Sequence, residues 1–220
     1  MSFSDKKYRY RFALIFGGLL LVLLILTSVT VGAANISLLD TLRILIGRIP
    51  FLGGFVSGGE VSRTHELIVL NIRLPRVIAA AAIGIGLSAV GATYQGMFAN
   101  PMADPYVLGV SAGAALGASI AIVMGADKIV GGFGLTTAAA FIFALLTVFI
   151  VFSIAKTGAK VSNTHLLLAG VAVSFFASSV MSVLMVLNRD KVANITYWMM
   201  GSIAFTSWKQ VIILVPLVIA

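Results

Sequence analysis

The chain of 220 residues is 60% hydrophobic and only 10% charged, carries a net charge of +8, and contains no cysteine. This composition excludes a soluble domain, whose surface needs far more charge, and it excludes disulfides and thiolate metal sites. It predicts an all-α membrane protein, a polytopic helical bundle, because several apolar runs approach the ~20 residues that cross a hydrocarbon core.

Lys6, Lys7, Arg9 and Arg11 precede an apolar run over about 12–34. A cleaved signal peptide also starts basic, but its apolar core is only about 7–15 residues long. The longer run, followed by further spans, predicts an uncleaved first helix with its basic start in the cytoplasm. Residues 35–71 form the longest polar segment; its Leu-rich part over 38–46 suits a short interfacial helix, and Gly53, Gly54, Gly58 and Gly59 mark turns. A second span is expected over 74–98 and a third over 106–124. They are joined by Asn100-Pro101-Met102-Ala103-Asp104-Pro105, whose two prolines stop one helix and start the next. A turn over 125–132, with Asp127 and Lys128, leads to a fourth span over 133–155. Lys156, Gly158 and Lys160 end it, and Ser162, Asn163 and Thr164 offer N-caps for a fifth over 164–187. After a polar stretch and an aromatic segment from Tyr197 and Trp198 to Trp208, a sixth span begins near Val211 and stops at Ala220 without a polar flank. A single transmembrane domain over 1–220, truncated within its last span, is therefore expected.

Counting from a cytoplasmic N-terminus, the Asn100–Pro105 and Lys156–His165 loops fall inside and the other three outside. The basic residues do not decide the matter. Lys6, Lys7, Arg9, Arg11, Lys156 and Lys160 lie inside, against Arg43, Arg48, Arg63, Arg73, Arg76, Lys128, Arg189, Lys191 and Lys209 outside. Orientation rests on the first cluster, since long polar segments translocate with little regard to charge.

Two stripes of small residues recur at a spacing of four: Gly84, Ser88, Ala92 and Gly96 in the second span, and Gly109, Gly113 and Gly117 in the third. Such stripes let helix backbones approach closely; pure packing and a border of a translocation path are both open. The middles of the spans hold no Asp, Glu, Lys, Arg or His, which argues against an ion-coupled carrier, a charged-ring channel and an intramembrane enzyme. No GxxxxGK[ST] phosphate loop occurs, so any ATP-driven step needs another chain. His65 and His165 stand in no metal-ligand spacing, and the basic residues form no cluster with interleaved aromatics, so neither a metal site nor nucleic acid is expected. Arg73 and Arg76 sit where a helix begins at the expected outer face. Either they snorkel to lipid headgroups, or they present an exposed pair of guanidinium groups to carboxylates of an extracytoplasmic partner.

Ile72-Arg73-Leu74-Pro75-Arg76, Gly91-Ala92-Thr93-Tyr94-Gln95-Gly96 and the run from Asn100-Pro101-Met102 through Tyr106-Val107-Leu108-Gly109-Val110-Ser111-Ala112-Gly113-Ala114 resemble the iron-siderophore, haem and cobalamin permeases, the membrane subunits of type II ATP-binding cassette importers. His165-Leu166-Leu167-Leu168-Ala169-Gly170-Val171 and Tyr197-Trp198-Met199-Met200-Gly201-Ser202 agree, in the right order, so the resemblance covers roughly residues 64–210. It implies a permease subunit, itself not catalytic, of which about six of the family's ten spans are present here. It implies a second permease subunit (a homo- or heterodimer), two cytoplasmic ATPases that carry ATP-Mg, and an extracytoplasmic substrate-binding protein. No cofactor is expected on this chain, and the expected location is the cytoplasmic membrane of a bacterium or archaeon. By the same resemblance Arg73 and Arg76 would dock the binding protein. Asn100, Pro101 and Met102, with Asn163 and Thr164, would form loops closing the cytoplasmic side of the path. A non-transporting structural or receptor-like membrane subunit is the other reading.

Overall fold

The computed structural model describes residues 3–48, 61–126, 129–130, 133–157 and 160–220. The turns expected at Gly53, Gly54, Gly58 and Gly59 and at Asp127 and Lys128, and the helix end at Gly158, lie outside the described residues. The chain divides into two compact units, Met1–Gly84 with Ile203–Ala220, and Ile85–Ser202.

In the first unit α1 runs over Phe3–Thr30. It starts earlier than the apolar run, because the Lys and Arg residues before it are good helix formers and nothing there breaks the pattern. It also stops before the run does: Thr27 and Thr30 turn their hydroxyls back onto carbonyls of the preceding turn. Ser37 then caps α2 (Leu38–Gly47), accepting from the Asp40 N–H at 3.0 Å. Beyond α2, α3 (Arg63–Leu67) leads into a π-helical segment, Ile68–Arg73, and on into α4 (Leu74–Phe98), whose residues from Ile85 onward belong to the second unit. Val29, Ile36, Ile44 and Val69 form the buried cluster that joins the end of α1, α2 and the π segment. The last helix, α9 (Trp208–Ile219), opens with a capping box in which the Ser207 N–H donates to Gln210 Oε1 at 2.9 Å. Trp208 Nε1 donates to the Leu70 carbonyl at 2.9 Å, which seats α9 on the π segment.

In the second unit, Asp104 Oδ1 accepts from the Tyr106 N–H at 2.7 Å and starts a 3-10 turn over Pro105–Leu108. Gly109, at φ 73°, breaks that turn from α5 (Val110–Val123), so the third apolar run begins as a turn and only then becomes a helix. The 14 residues of α5 rise about 21 Å, less than a hydrocarbon core of about 30 Å. β1 (Ile129–Val130) pairs antiparallel with β2 (Phe133–Gly134) before α6 (Leu135–Ala155). β3 (Lys156–Thr157) pairs with β4 (Lys160–Val161) before α7 (Asn163–Leu187). A short α8 (Val192–Met200) follows. Leu108, Val151, Ala155, Leu166 and Ala169 are the buried cluster where α6 and α7 meet the turn before α5.

Candidate functional site

The two small-residue stripes behave differently. On α5, a Cβ at Gly113 would overlap the Thr147 side chain of α6, and one at Gly117 would lie 2.6 Å from the Ala139 carbonyl oxygen. At Gly109 the positive φ adds a second reason for glycine, and a Cβ there would lie 2.6 Å from Ser174 Oγ of α7. This stripe is the seam on which α6 and α7 close, and Thr147 folds its own hydroxyl onto the Phe143 carbonyl at 2.8 Å to fit it. Gly84, Ser88, Ala92 and Gly96 instead lie on exposed surface, and a Cβ at Gly84 or Gly96 would meet nothing within 4 Å. Spacing alone gave both stripes the same meaning; the fold packs one and leaves the other open to membrane or further protein. The close packing of Gly170 on the Val107 backbone was missed from sequence, although Gly170 stands in the quoted His165–Val171 block.

The loop after α4 is built by Asn100. Ala99 takes a left-handed φ of 49°, ending the helix, and Asn100 Oδ1 then accepts from the Met102 N–H at 2.9 Å. Pro101 follows, and Met102 is left 85% exposed. Asn163, the first residue of α7, reaches the end of α4 and donates through Nδ2 to the Met97 carbonyl at a long 3.4 Å. The two segments read from sequence as separate loops, at Asn100–Met102 and at Asn163–Thr164, are thus brought to the same helix end. Thr164 is exposed beside them.

The arginines depart from the sequence expectation. Arg73 is not part of an exposed pair; it is only 8% exposed. Its Nη1 donates to the Val29 carbonyl at 3.1 Å and the Thr30 carbonyl at 2.7 Å, and its Nη2 to the Ala34 carbonyl at 2.5 Å. The cause is the end of α1, which leaves carbonyls without intrahelical donors and carries the negative end of the helix dipole. A guanidinium satisfies several of them at once. Gly32 makes room for it: a Cβ there would lie 2.6 Å from Nη2 and 2.8 Å from Cζ of Arg73. Arg76, one turn on, is partly buried and lines a groove of about 340 Å³ between α1 and α4, with its Nε sealed from solvent. The guanidinium groups left accessible at this end belong to Arg63 and to Arg48, which is 68% exposed and pairs with Glu66 at 2.6 Å. Among the described residues no group of three or more His, Asp or Glu gathers that could hold a metal ion.

Four stretches, Lys7–Thr30, Arg63–Phe98, Leu135–Ala155 and Asn163–Leu187, are long and apolar enough to cross a membrane, and the shorter apolar helices Val110–Val123 and Trp208–Ile219 accompany them. Fold and composition together define a multi-pass α-helical membrane protein. The chain belongs to the FecCD transport family, which matches residues 20–220. It is 32% identical over 212 residues to an uncharacterized ABC transporter permease protein, YvrB, of Bacillus subtilis, aligning 96% of this chain with 59% of that protein. It is 34% identical to the cobalamin import system permease protein BtuC of Halobacterium salinarum, over 92% of this chain and 61% of that one. A solved structure of an ABC transporter of proposed metal-chelate type, in an inward-facing conformation, superposes with a TM-score of 0.70 at 26% identity, covering 91% of this chain and 56% of that one. The chain spans about three fifths of the length of these curated relatives.

Proposed function

We propose that the chain is the membrane-spanning permease subunit of an ATP-binding cassette importer, translocating a substrate of the iron-siderophore, haem or cobalamin class delivered by a binding protein. What carries this reading is the continuity of the family match over 20–220. The arginine-bearing helix end, both loops at the end of α4 and the packed glycine seam all lie inside it. The cobalamin permease of Halobacterium and the metal-chelate transporter fold support a large, chelated cargo. In this reading the chain makes and breaks no bond. It pairs with a second permease subunit in the cytoplasmic membrane, and ATP-Mg is hydrolysed by separate cytoplasmic subunits. The span middles suit that role, because a path without fixed charges neither traps a large chelate nor couples it to an ion gradient.

The loops around Asn100, Pro101, Met102, Asn163 and Thr164 would close the cytoplasmic end of the path, with the Asn163–Met97 contact as their latch. Docking of the binding protein falls on Arg76 rather than on both arginines, since the Arg73 guanidinium is held by three carbonyls. The test is association of the reconstituted full-length protein with its binding protein. Arg76→Glu is expected to weaken association and flatten its salt dependence, and unchanged association would overturn the docking assignment.

A further inference from the structure

Within the first unit, Arg48, Arg63 and Glu66 rim a hollow of about 320 Å³ with Leu67 and Leu70 at its base and Trp208 at its side. Glu66 is engaged, accepting from Arg48 Nη2 at 2.6 Å. The Trp208 N–H is engaged too, by the Leu70 carbonyl. Arg63 is exposed and has no carboxylate partner among the described residues. Two guanidinium groups against one carboxylate leave the rim with an excess positive charge, and it sits on Arg63.

The level of the hollow decides what can reach it. The apolar part of α1, over 12–30, rises about 28 Å, close to the whole of a hydrocarbon core of about 30 Å. The carbonyls at its end that hold Arg73 therefore mark the edge of the core. Arg63 opens the same continuous helix ten residues before Arg73, about 15 Å further out. The headgroup layer on each side is only about 5–8 Å deep, and even a tilt of about 40° leaves Arg63 about 11 Å beyond the core. Lipid phosphates lie below this guanidinium, so its counterpart is a soluble partner.

We propose that the hollow is a socket for an acidic side chain of the extracytoplasmic binding protein, an anchor additional to Arg76. The proposal rests on the importer reading given above. The partner's carboxylate pairs with Arg63, and its methylenes lie on Leu67, Leu70 and the Trp208 ring. Arg63 and Arg76 stand about 20 Å apart along the helix, which fits within one protein footprint of about 800 Å². Glu66 sets the strength of the socket, because it holds Arg48 back from the incoming carboxylate.

The test measures association of the full-length protein, in nanodiscs of phosphatidylglycerol and phosphatidylcholine, with its cognate binding protein by biolayer interferometry. Arg63→Gln is expected to weaken association about tenfold, the worth of one charge-assisted hydrogen bond. Glu66→Gln frees Arg48 and is expected to strengthen association about threefold, and both effects should fade at about 0.5 M salt. A merely structural role for these exposed side chains would not give changes of opposite sign, and thermal melts of both variants should match the parent. Association unchanged by Arg63→Gln, or weakened by Glu66→Gln, would overturn the proposal. If Arg76→Glu still weakens association in that case, the importer reading stands without the socket; if the parent does not associate at all, both fall. Loss of bound phosphatidylglycerol rather than of the binding protein on Arg63→Gln would give the arginine to lipid and overturn the proposal as well.

Discussion

Truncating Arg73 should loosen the end of α1 more than any other single change in the first unit. Its side chain makes three hydrogen bonds to the carbonyls of Val29, Thr30 and Ala34, at 3.1, 2.7 and 2.5 Å, from an almost fully buried position. A hydrogen bond involving a charged group contributes about 1.5–3 kcal/mol. The three are not additive, and water reaches part of the helix end once the side chain is gone, so Arg73→Ala is expected to cost about 3 kcal/mol in all. Arg73→Lys keeps the charge but not the planar fork, and should lose about half of that. Gly32→Ala attacks the same contact from the other side, because its Cβ would lie 2.6 Å from Nη2, and overpacking of this kind costs about 1–3 kcal/mol. Equilibrium unfolding in detergent, followed by tryptophan fluorescence, measures each loss, and hydrogen exchange over residues 27–34 localises it. The double variant provides the sharper test: once Arg73 is truncated, Gly32→Ala has nothing left to strike and should cost almost nothing further. Full additivity, or an Arg73→Ala variant as stable as the parent, would refute this account of the clamp.

The other predictions concern the stripes and the π segment. Gly113→Val should destabilise the second unit by about 3 kcal/mol or more through overlap with Thr147, with partial rescue by Thr147→Ala, whereas Gly96→Ala, helical and with nothing within 4 Å, should cost nothing and stabilise the chain by up to about 1 kcal/mol; thermal melts of the three variants check this. Trp208→Phe keeps an aromatic side chain but loses the indole N–H that makes the 2.9 Å bond to the Leu70 carbonyl, with part of the ring, and should cost at least about 1 kcal/mol while raising exchange of the amides over 68–73.

Much of the fold was legible because apolar length and helix punctuation are local. α4 ends just before the Asn100–Pro101 turn, at a left-handed Ala99, but the helix that carries it begins earlier than the sequence suggests, at Arg63 within the expected polar segment. What escaped the sequence was long-range. Gly32 and Arg73 stand far apart in the chain, and nothing in either neighbourhood announces that one makes room for the other. A charge read as an exposed docking group became an internal clamp, because the carbonyls left open at the end of α1 lie within its reach. The two glycine stripes share one spacing, which says that a backbone can approach but not whether one does. The π segment is likewise not legible, since Ile68–Asn71 falls at the end of the polar segment expected before the second span and no residue type there marks a widened turn. The contact between Asn163 and Met97 depends on the hairpin that turns α6 into α7, a feature of geometry rather than of residue type.

The central claim, that this chain belongs to the conduit of an ATP-driven importer, is tested most directly by reconstituting the full-length protein in vesicles with its cognate ATPase and substrate-loaded binding protein, and following accumulation of labelled cobalamin and of ferric siderophores. The account predicts accumulation of one of these classes that requires both ATP and the binding protein and is insensitive to an ionophore that collapses ion gradients. Accumulation driven by an ion gradient without ATP, or none of any chelate under conditions where the complex assembles, would contradict it.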